Sequence, residues 1–198
     1  MQAPRRVVLA TGNAGKQREF AALLTPLGIE IVTQAALGIA PAEETGATFE
    51  ENALLKARHA ARVSGLPALA DDSGIEVDAL EGRPGVYSAR YAGPDASDED
   101  NNASLLAELI RVPDWERTAR YQCVIAFVRS ADDPAPLIAR GTWEGRIATA
   151  PAGTGGFGYD PLFIPEGMAI TAAQMSPEAK NAVSHRGKAL AALLELLS

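Results

Sequence analysis

At 198 residues, 47% of them hydrophobic, the chain is long enough to bury a sizeable core, as one large domain or two closely joined lobes. Eighteen Lys and Arg against 25 Asp and Glu give a net charge of −7, which argues against general nucleic-acid binding but leaves room for a local cationic cluster that takes a small anion. Cys123 is the only cysteine, so an intrachain disulfide is excluded, and no apolar run approaches the ~18 residues of a membrane span; a cytoplasmic protein with no membrane association is expected.

Arg5 and Arg6 precede an apolar run, Val7 to Ala10, too short for a signal-peptide core. Arg6 to Ala10 reads instead as a buried strand. Thr11-Gly12-Asn13-Ala14-Gly15-Lys16 follows and leads into a helix with Phe20, Leu23, Leu24 and Leu27 on its inner face and Gly28 as its stop. A strand, a glycine loop and a helix N-terminus offer free backbone N–H groups, and Lys16 adds a full positive charge. The spacing is not that of a Walker A loop, and an ordinary strand–turn–helix unit reads the same way.

Glu30 to Thr33 is a short strand. After a loop carrying Glu43 and Glu44, Thr48 and Glu51 form a capping box that opens a helix running to Ser64, with Gly65 as its stop. Phe49, Asn52, Ala53 and Lys56 share one face, while Glu51, Arg58 and Arg62 read as solvated. Lys56 beside Phe49 points either into a negatively charged site or along the edge of the core, its ammonium reaching water. His59 has no such context.

An apolar run, Leu66 to Ala70, enters Asp71-Asp72-Ser73-Gly74, and Ile75 to Leu80 is again strand-like. Adjacent carboxylates at the end of a buried strand are costly unless compensated, and a divalent cation such as Mg²⁺ is one compensation. An Asx-type turn is the plainer reading. In extended chain neighbouring side chains point to opposite faces, so one of the two is expected to hold any catalytic task.

Ser97 caps a third helix to about Arg111, with Asp98-Glu99-Asp100 as a solvated acidic first turn and Leu106, Leu109 and Ile110 facing inward. Ala119 to Arg129 is a strand with Tyr121, Cys123, Ile125 and Phe127 on one face, and Leu137 to Ile147 supplies one or two more. Cys123 reads as core filler. In Gly153 to Pro161 four glycines surround Phe157 and Tyr159, so exposed rings there could stack on a base, with Asp160 accepting a hydrogen bond; the alternative is a turn with core aromatics. Ser184 caps a last helix whose first turn holds His185 and Arg186. Cations at that end oppose the helix dipole and call for an anion, such as a phosphate gripped by Arg186.

Five segments occur in this order: TGNAGK (11–16), FEENALLKA (49–57), DDSGIEVDALEGRPGVYSARYAG (71–93), GTGGFGYDP (153–161) and KNAVSHRGKAL (180–190). Together they resemble the inosine triphosphate pyrophosphatase family over nearly the whole chain. The resemblance implies an α/β fold: a long, twisted, mixed β-sheet flanked by helices, forming a single domain of two lobes (1–198) with a cleft between them. It implies hydrolysis of ITP, dITP and XTP to the monophosphate and pyrophosphate, a Mg²⁺ cofactor and a homodimer. By the same resemblance, Thr11, Gly12, Asn13, Ala14, Gly15 and Lys16 hold the phosphates together with Lys56. Asp72 is the catalytic aspartate, Ser73 contacts substrate, and Glu44 (rather than Glu43) joins Asp72 at the metal. Phe157, Gly158, Tyr159, Asp160, Lys180, His185 and Arg186 form the base-recognition side. Gln174 stands where relatives commonly carry Glu, which puts a local salt bridge in question. Rival readings are a non-catalytic nucleotide sensor, a pyrophosphatase for other altered nucleotides and a nucleic-acid binder.

Overall fold

A computed structural model describes residues 6–198; Arg5 lies outside that range. One mixed six-stranded sheet runs in the order β2 (Glu30–Thr33), β1 (Arg6–Leu9), β3 (Ala68–Val77), β4 (Thr118–Val128), β5 (Leu137–Ile147), β6 (Phe163–Pro165). The chain divides into two compact units, the first built from residues up to Asp72, Cys123–Gly141 and Arg186–Ser198, the second from Ser73–Gln122 and Thr142–His185.

In the first unit, β1 (Arg6–Leu9) pairs in parallel with β2 (Glu30–Thr33) and with β3 (Ala68–Val77), with α1 (Ala14–Leu24) and α2 (Phe49–Ser64) as the intervening helices. Strand alternation sorts the side chains into two cores. Val7, Leu9, Leu69, Cys123, Ile125 and Phe127 pack with Phe20 and Leu24 of α1 and with Leu190 and Leu193 of α5 (His185–Leu197). Val8, Ala10, Ala68, Ala70, Val124 and Ala126 meet α2. Every buried apolar side chain of α2 is an alanine, at 53, 57, 60 and 61, so its backbone lies close to the strands.

The second unit holds the rest of β3, α3 (Asp98–Glu108), parts of β4 (Thr118–Val128) and β5 (Leu137–Ile147), β6 (Phe163–Pro165) and α4 (Pro177–Val183). β6 runs antiparallel to β5, with Gly145 opposite Pro165. A Cβ on Gly145 would lie 2.4 Å from the Ile164 carbonyl oxygen, so this crossing requires glycine. The core gathers Ile75, Val77, Leu105, Leu109, Tyr121, Trp143, Tyr159 and Phe163.

Several local expectations are corrected. Pro26 ends α1 at Leu24 in favour of a single 3₁₀ turn, so Leu27 is 53% exposed. Thr48 caps α2, but the Glu51 carboxylate accepts from the Ala47 N–H, so the box closes one residue early. Arg58 is half-buried rather than solvated. Leu105 of α3 is buried together with Leu109 at its C-cap, and Leu106 packs against the same core, while Ile110 lies past the helix end and points outward. Asp71 to Gly74 form no turn: β3 runs unbroken through them as a ten-residue strand.

Candidate active site

The unbroken course of β3 gives the two aspartates opposite surroundings. Asp71, in phase with Leu69, faces α1 and α5; its Oδ2 is 3.0 Å from Lys16 Nζ and accepts from Arg186 Nε at 3.2 Å and Nη2 at 3.0 Å. A further Arg186 nitrogen bonds Glu19 of α1. Burial pushes the Asp71 carboxyl up, but Lys16, Arg186 and Lys56 outweigh it and hold it well below the usual carboxylate range. The same burial, with Asp71 alongside, pushes the Cys123 thiol up to about 12, which leaves it inert as a nucleophile at neutral pH.

Asp72, in phase with Ala68 and Ala70, faces α2. Its Oδ1 accepts from Lys56 Nζ at 2.8 Å, and the same ammonium donates to Glu44 Oε1 at 2.9 Å. Asn52, one turn before Lys56, donates its side-chain N–H to Asp72 Oδ2 at 3.2 Å and accepts the Gly46 N–H at 2.8 Å. Asn52 thus ties Asp72 to the loop that presents Glu44. A Cβ on Gly46 would meet the Asn52 oxygen at 2.7 Å, so that loop needs its glycine. Glu44 shares the lysine, whereas Glu43 is exposed. Burial raises the Asp72 pKa, and Lys56 and Lys16 offset it only in part. Lys56 is itself raised: burial opposes its charge, and Asp72, Asp71 and Glu44 overcome that opposition.

At the start of α1, Asn13 is the N-cap and accepts the Lys16 N–H at 3.0 Å, and the Thr11 hydroxyl accepts the Asn13 N–H at 3.2 Å. Gly12 and Ala14 are exposed, and Gly15 is buried. Ser73 follows Asp72 on β3 and is half-buried.

In the second unit, Asp160 is 1% exposed and accepts from Lys180 Nζ at 2.6 Å and from the Phe157 N–H at 2.9 Å. The Lys180 ammonium lies 4.8 Å from the Phe157 ring centre. A Cβ on Gly156 would fall 2.0 Å from the Asp160 carboxylate, so glycine is obligatory there. Tyr159 is not an exposed stacking ring: it is buried, and its hydroxyl donates to the Ser88 carbonyl at 2.8 Å. Phe157 is half-buried. His185 lies flat on Tyr121, with ring centres 4.5 Å apart and planes 6° apart.

Arg186 departs from its expected company. It belongs to the first unit, is 1% exposed and is bound by Asp71 and Glu19, so the anion that its place in α5 called for is supplied from within the protein. Glu19 did not stand out in the sequence; Asp71 did, as a carboxylate in need of compensation, but with a divalent cation rather than Lys16 and Arg186 as the expected partner. Asn52 stood out as a polar residue on an otherwise apolar helix face. Gln174, neutral where a glutamate would bring the charge for a salt bridge, caps a turn instead: its side-chain oxygen accepts the Thr171 N–H at 2.9 Å in a reciprocal capping box.

Among the described residues no three His, Cys, Asp or Glu side chains gather as a ready metal cage. Asp72 and Glu44 offer oxygen donors to one common cation, and burial disfavours the Asp72 charge, a cost that a cation beside it would relieve. Mg²⁺ is commonly bound by one or two carboxylates, with water and phosphate oxygens completing its shell, and this pair fits that pattern.

The Ham1 family model matches residues 7–196. The chain is 58% identical over 193 residues to a dITP/XTP pyrophosphatase of Shigella flexneri, covering 98% of each chain. It is 60% identical over 193 residues to a dITP/XTP pyrophosphatase of Methylococcus capsulatus, covering 98% of this chain and 96% of that one. The solved structure of a HAM1 protein from Coxiella burnetii superposes with a TM-score of 0.89 at 48% identity, covering 100% of this chain and 98% of that one.

Proposed function

The chain belongs to the Ham1 family, and from that premise we propose that it is a nucleoside triphosphate pyrophosphatase. It hydrolyses deaminated purine nucleotides (dITP, ITP and XTP) to the monophosphate and pyrophosphate, and so keeps them out of DNA and RNA. The observation that carries this reading is the Asp72–Lys56–Glu44 cluster: two carboxylates on one lysine, 2.8 and 2.9 Å away, in a chain so close to named dITP/XTP pyrophosphatases.

In this proposal Asp72 and Glu44 hold Mg²⁺, which when bound neutralises charge on the phosphate oxygens. Asp72, whose pKa burial raises, orients a water and takes its proton. The water oxygen bonds to the α-phosphorus, the bond from that phosphorus to the bridging oxygen breaks, and pyrophosphate leaves with its charge balanced by Lys16 and Lys56. Thr11 to Gly15 hold the phosphate chain, and Ser73 contacts the nucleotide.

Phe157, Gly158, Tyr159, Asp160, Lys180 and His185 are assigned to base recognition, with the Tyr159, Asp160, Lys180 and His185 side chains acting from buried positions, while Arg186, whose charge Asp71 and Glu19 take up, serves as an internal ion pair. Hypoxanthine and xanthine carry a 6-keto oxygen and a protonated N1. Donors aimed at the keto oxygen would be left unpaired by adenine, which rejects ATP. Excluding GTP requires discrimination at the 2-position. A homodimer, a cytoplasmic location and no nucleic-acid partner complete the proposal.

Pyrophosphate release from dITP, XTP, GTP and ATP in parallel, with Mg²⁺ and with EDTA, tests it. Fast release from dITP and XTP that EDTA abolishes, with little from GTP and ATP, is the expected result. Binding of dITP without release would reduce the protein to a sensor.

A further inference from the structure

The N-terminal half of α3 lies outside every segment assigned to substrate, yet it grips the peptide units on both sides of Gly158. The Asp98 carboxylate accepts the Gly158 N–H at 2.6 Å. The Asn102 side-chain nitrogen donates to the Gly158 carbonyl at 2.8 Å and to the Asp98 carbonyl, one turn back, at 2.6 Å. Both acceptors are carbonyl oxygens, so only one orientation of the Asn102 amide satisfies them. Gly158 sits at φ +61, where a backbone without side-chain constraint needs external bonds to hold one conformation. The residue before it is Phe157, whose ring faces the Lys180 ammonium, and whose N–H is bound by Asp160 two residues after Gly158.

We infer that Asp98 and Asn102 are positioning residues: by clamping Gly158 from α3 they fix the Phe157–Asp160 segment and thereby set how well the enzyme tells a deaminated purine from guanine. This rests on the base-recognition role proposed above for Phe157 to Asp160. Neither side chain need touch the substrate, so their loss acts on binding of the base and on discrimination rather than on the chemical step.

The test measures kcat and KM for dITP and GTP, with melting temperatures, in Asn102→Ala, Asp98→Ala, Asp98→Asn and Glu99→Ala. Asn102→Ala is expected to raise KM for dITP by about ten-fold, the size of one lost oriented hydrogen bond, with kcat within about two-fold. Asp98→Ala, whose bond is solvent-exposed, is expected to raise it by about three-fold. In both, the preference for dITP over GTP should shrink. Asp98→Asn keeps an acceptor oxygen and should restore wild-type values. Glu99→Ala removes an exposed acid from the same helical turn and controls for the helix dipole. Unchanged KM and preference in both alanine variants, or a lower melting temperature with KM unchanged, would overturn the inference. Wild-type protein in the same series separates the two claims: if it releases no pyrophosphate from dITP, the assigned activity fails; if it is active and the variants match it, only the clamp fails.

Discussion

Asp71 and Asp72 are neighbours on one strand, both buried, and their carboxyl groups are pushed in opposite directions. On the α1 and α5 side, Asp71 meets two cations, one of them a guanidinium that itself is 1% exposed. On the α2 side, Asp72 meets a single ammonium that it shares with Glu44. Desolvation acts on both; the number and commitment of nearby cations decide which way each goes. A carboxylate locked below its usual range cannot take a proton near neutral pH, and it serves to anchor charge. One whose pKa burial raises takes a proton more readily and gains from a further cation. The difference assigns anchoring to Asp71 and chemistry to Asp72.

The largest way to break this assignment is Asp72→Asn. Turnover of dITP should fall by roughly 10²–10⁴-fold, the scale of a lost general base, while dITP binding by calorimetry stays close to wild type. Near-normal turnover would remove Asp72 from the chemistry. Lys56→Met sharpens the comparison further. Lys56 is the main cation lowering the Asp72 pKa, so its removal should move the acidic limb of the pH–rate profile to higher pH and weaken binding of the triphosphate more than that of the monophosphate. A limb that stays in place would mean that another group titrates there.

Stability should respond to pH with opposite signs at the two sites. The folded pKa of Asp72 is raised, so its contribution to stability is full below the unfolded value of ~4 and is lost as pH rises through the folded value. That of Asp71 is lowered, so its contribution is present above ~4 and is lost as pH falls through the folded value. Urea titrations of Asp71→Asn and Asp72→Asn against pH should therefore diverge from wild type at opposite ends of the acid range. The smallest effect belongs to Gln174→Ala, which removes one cap: about 1 kcal/mol of stability and a melting temperature lower by roughly 2–4 °C, with kcat unchanged in the pyrophosphate assay.

Much of this was legible in the sequence, and the reasons differ from residue to residue. The bounds of α2 and β2 follow from a capping threonine, a stop glycine and a short β-branched run, which are local signals. The odd polarity of Asn52 and Lys56 on an apolar helix face left open a charged site or a core edge with the ammonium in water, and Lys56 lies between Asp72 and Glu44. The phase of β3 was readable in part: opposite faces for the two aspartates follow from strand geometry alone, but Asp, Ser and Gly are also turn formers, and only the place of β3 in the sheet, with β1 beside its first residues and β4 on its other side, resolves the segment as strand. Arg186 and Glu19 could not be matched from sequence, because 167 positions separate them and no local pattern records that pairing. Whether Tyr159 stacks from the surface or lies in the core stayed open for a similar reason, since the carbonyl that draws its hydroxyl inward lies 71 positions away. Asp98 looked like helix-end charge on the surface, and its bond to Gly158 spans 60 positions.

The division of labour on β3 is tested most directly by the melting temperatures of Asp71→Asn and Asp72→Asn beside wild type at neutral pH. A fall of roughly 10 °C is expected for Asp71→Asn, because breaking a buried ion pair leaves the Arg186 charge partly uncompensated. For Asp72→Asn a value within a few degrees of wild type is expected, since the ionised carboxyl there is disfavoured by burial. An Asp72→Asn protein that melts as low as Asp71→Asn, or an Asp71→Asn protein as stable as wild type, would contradict that division.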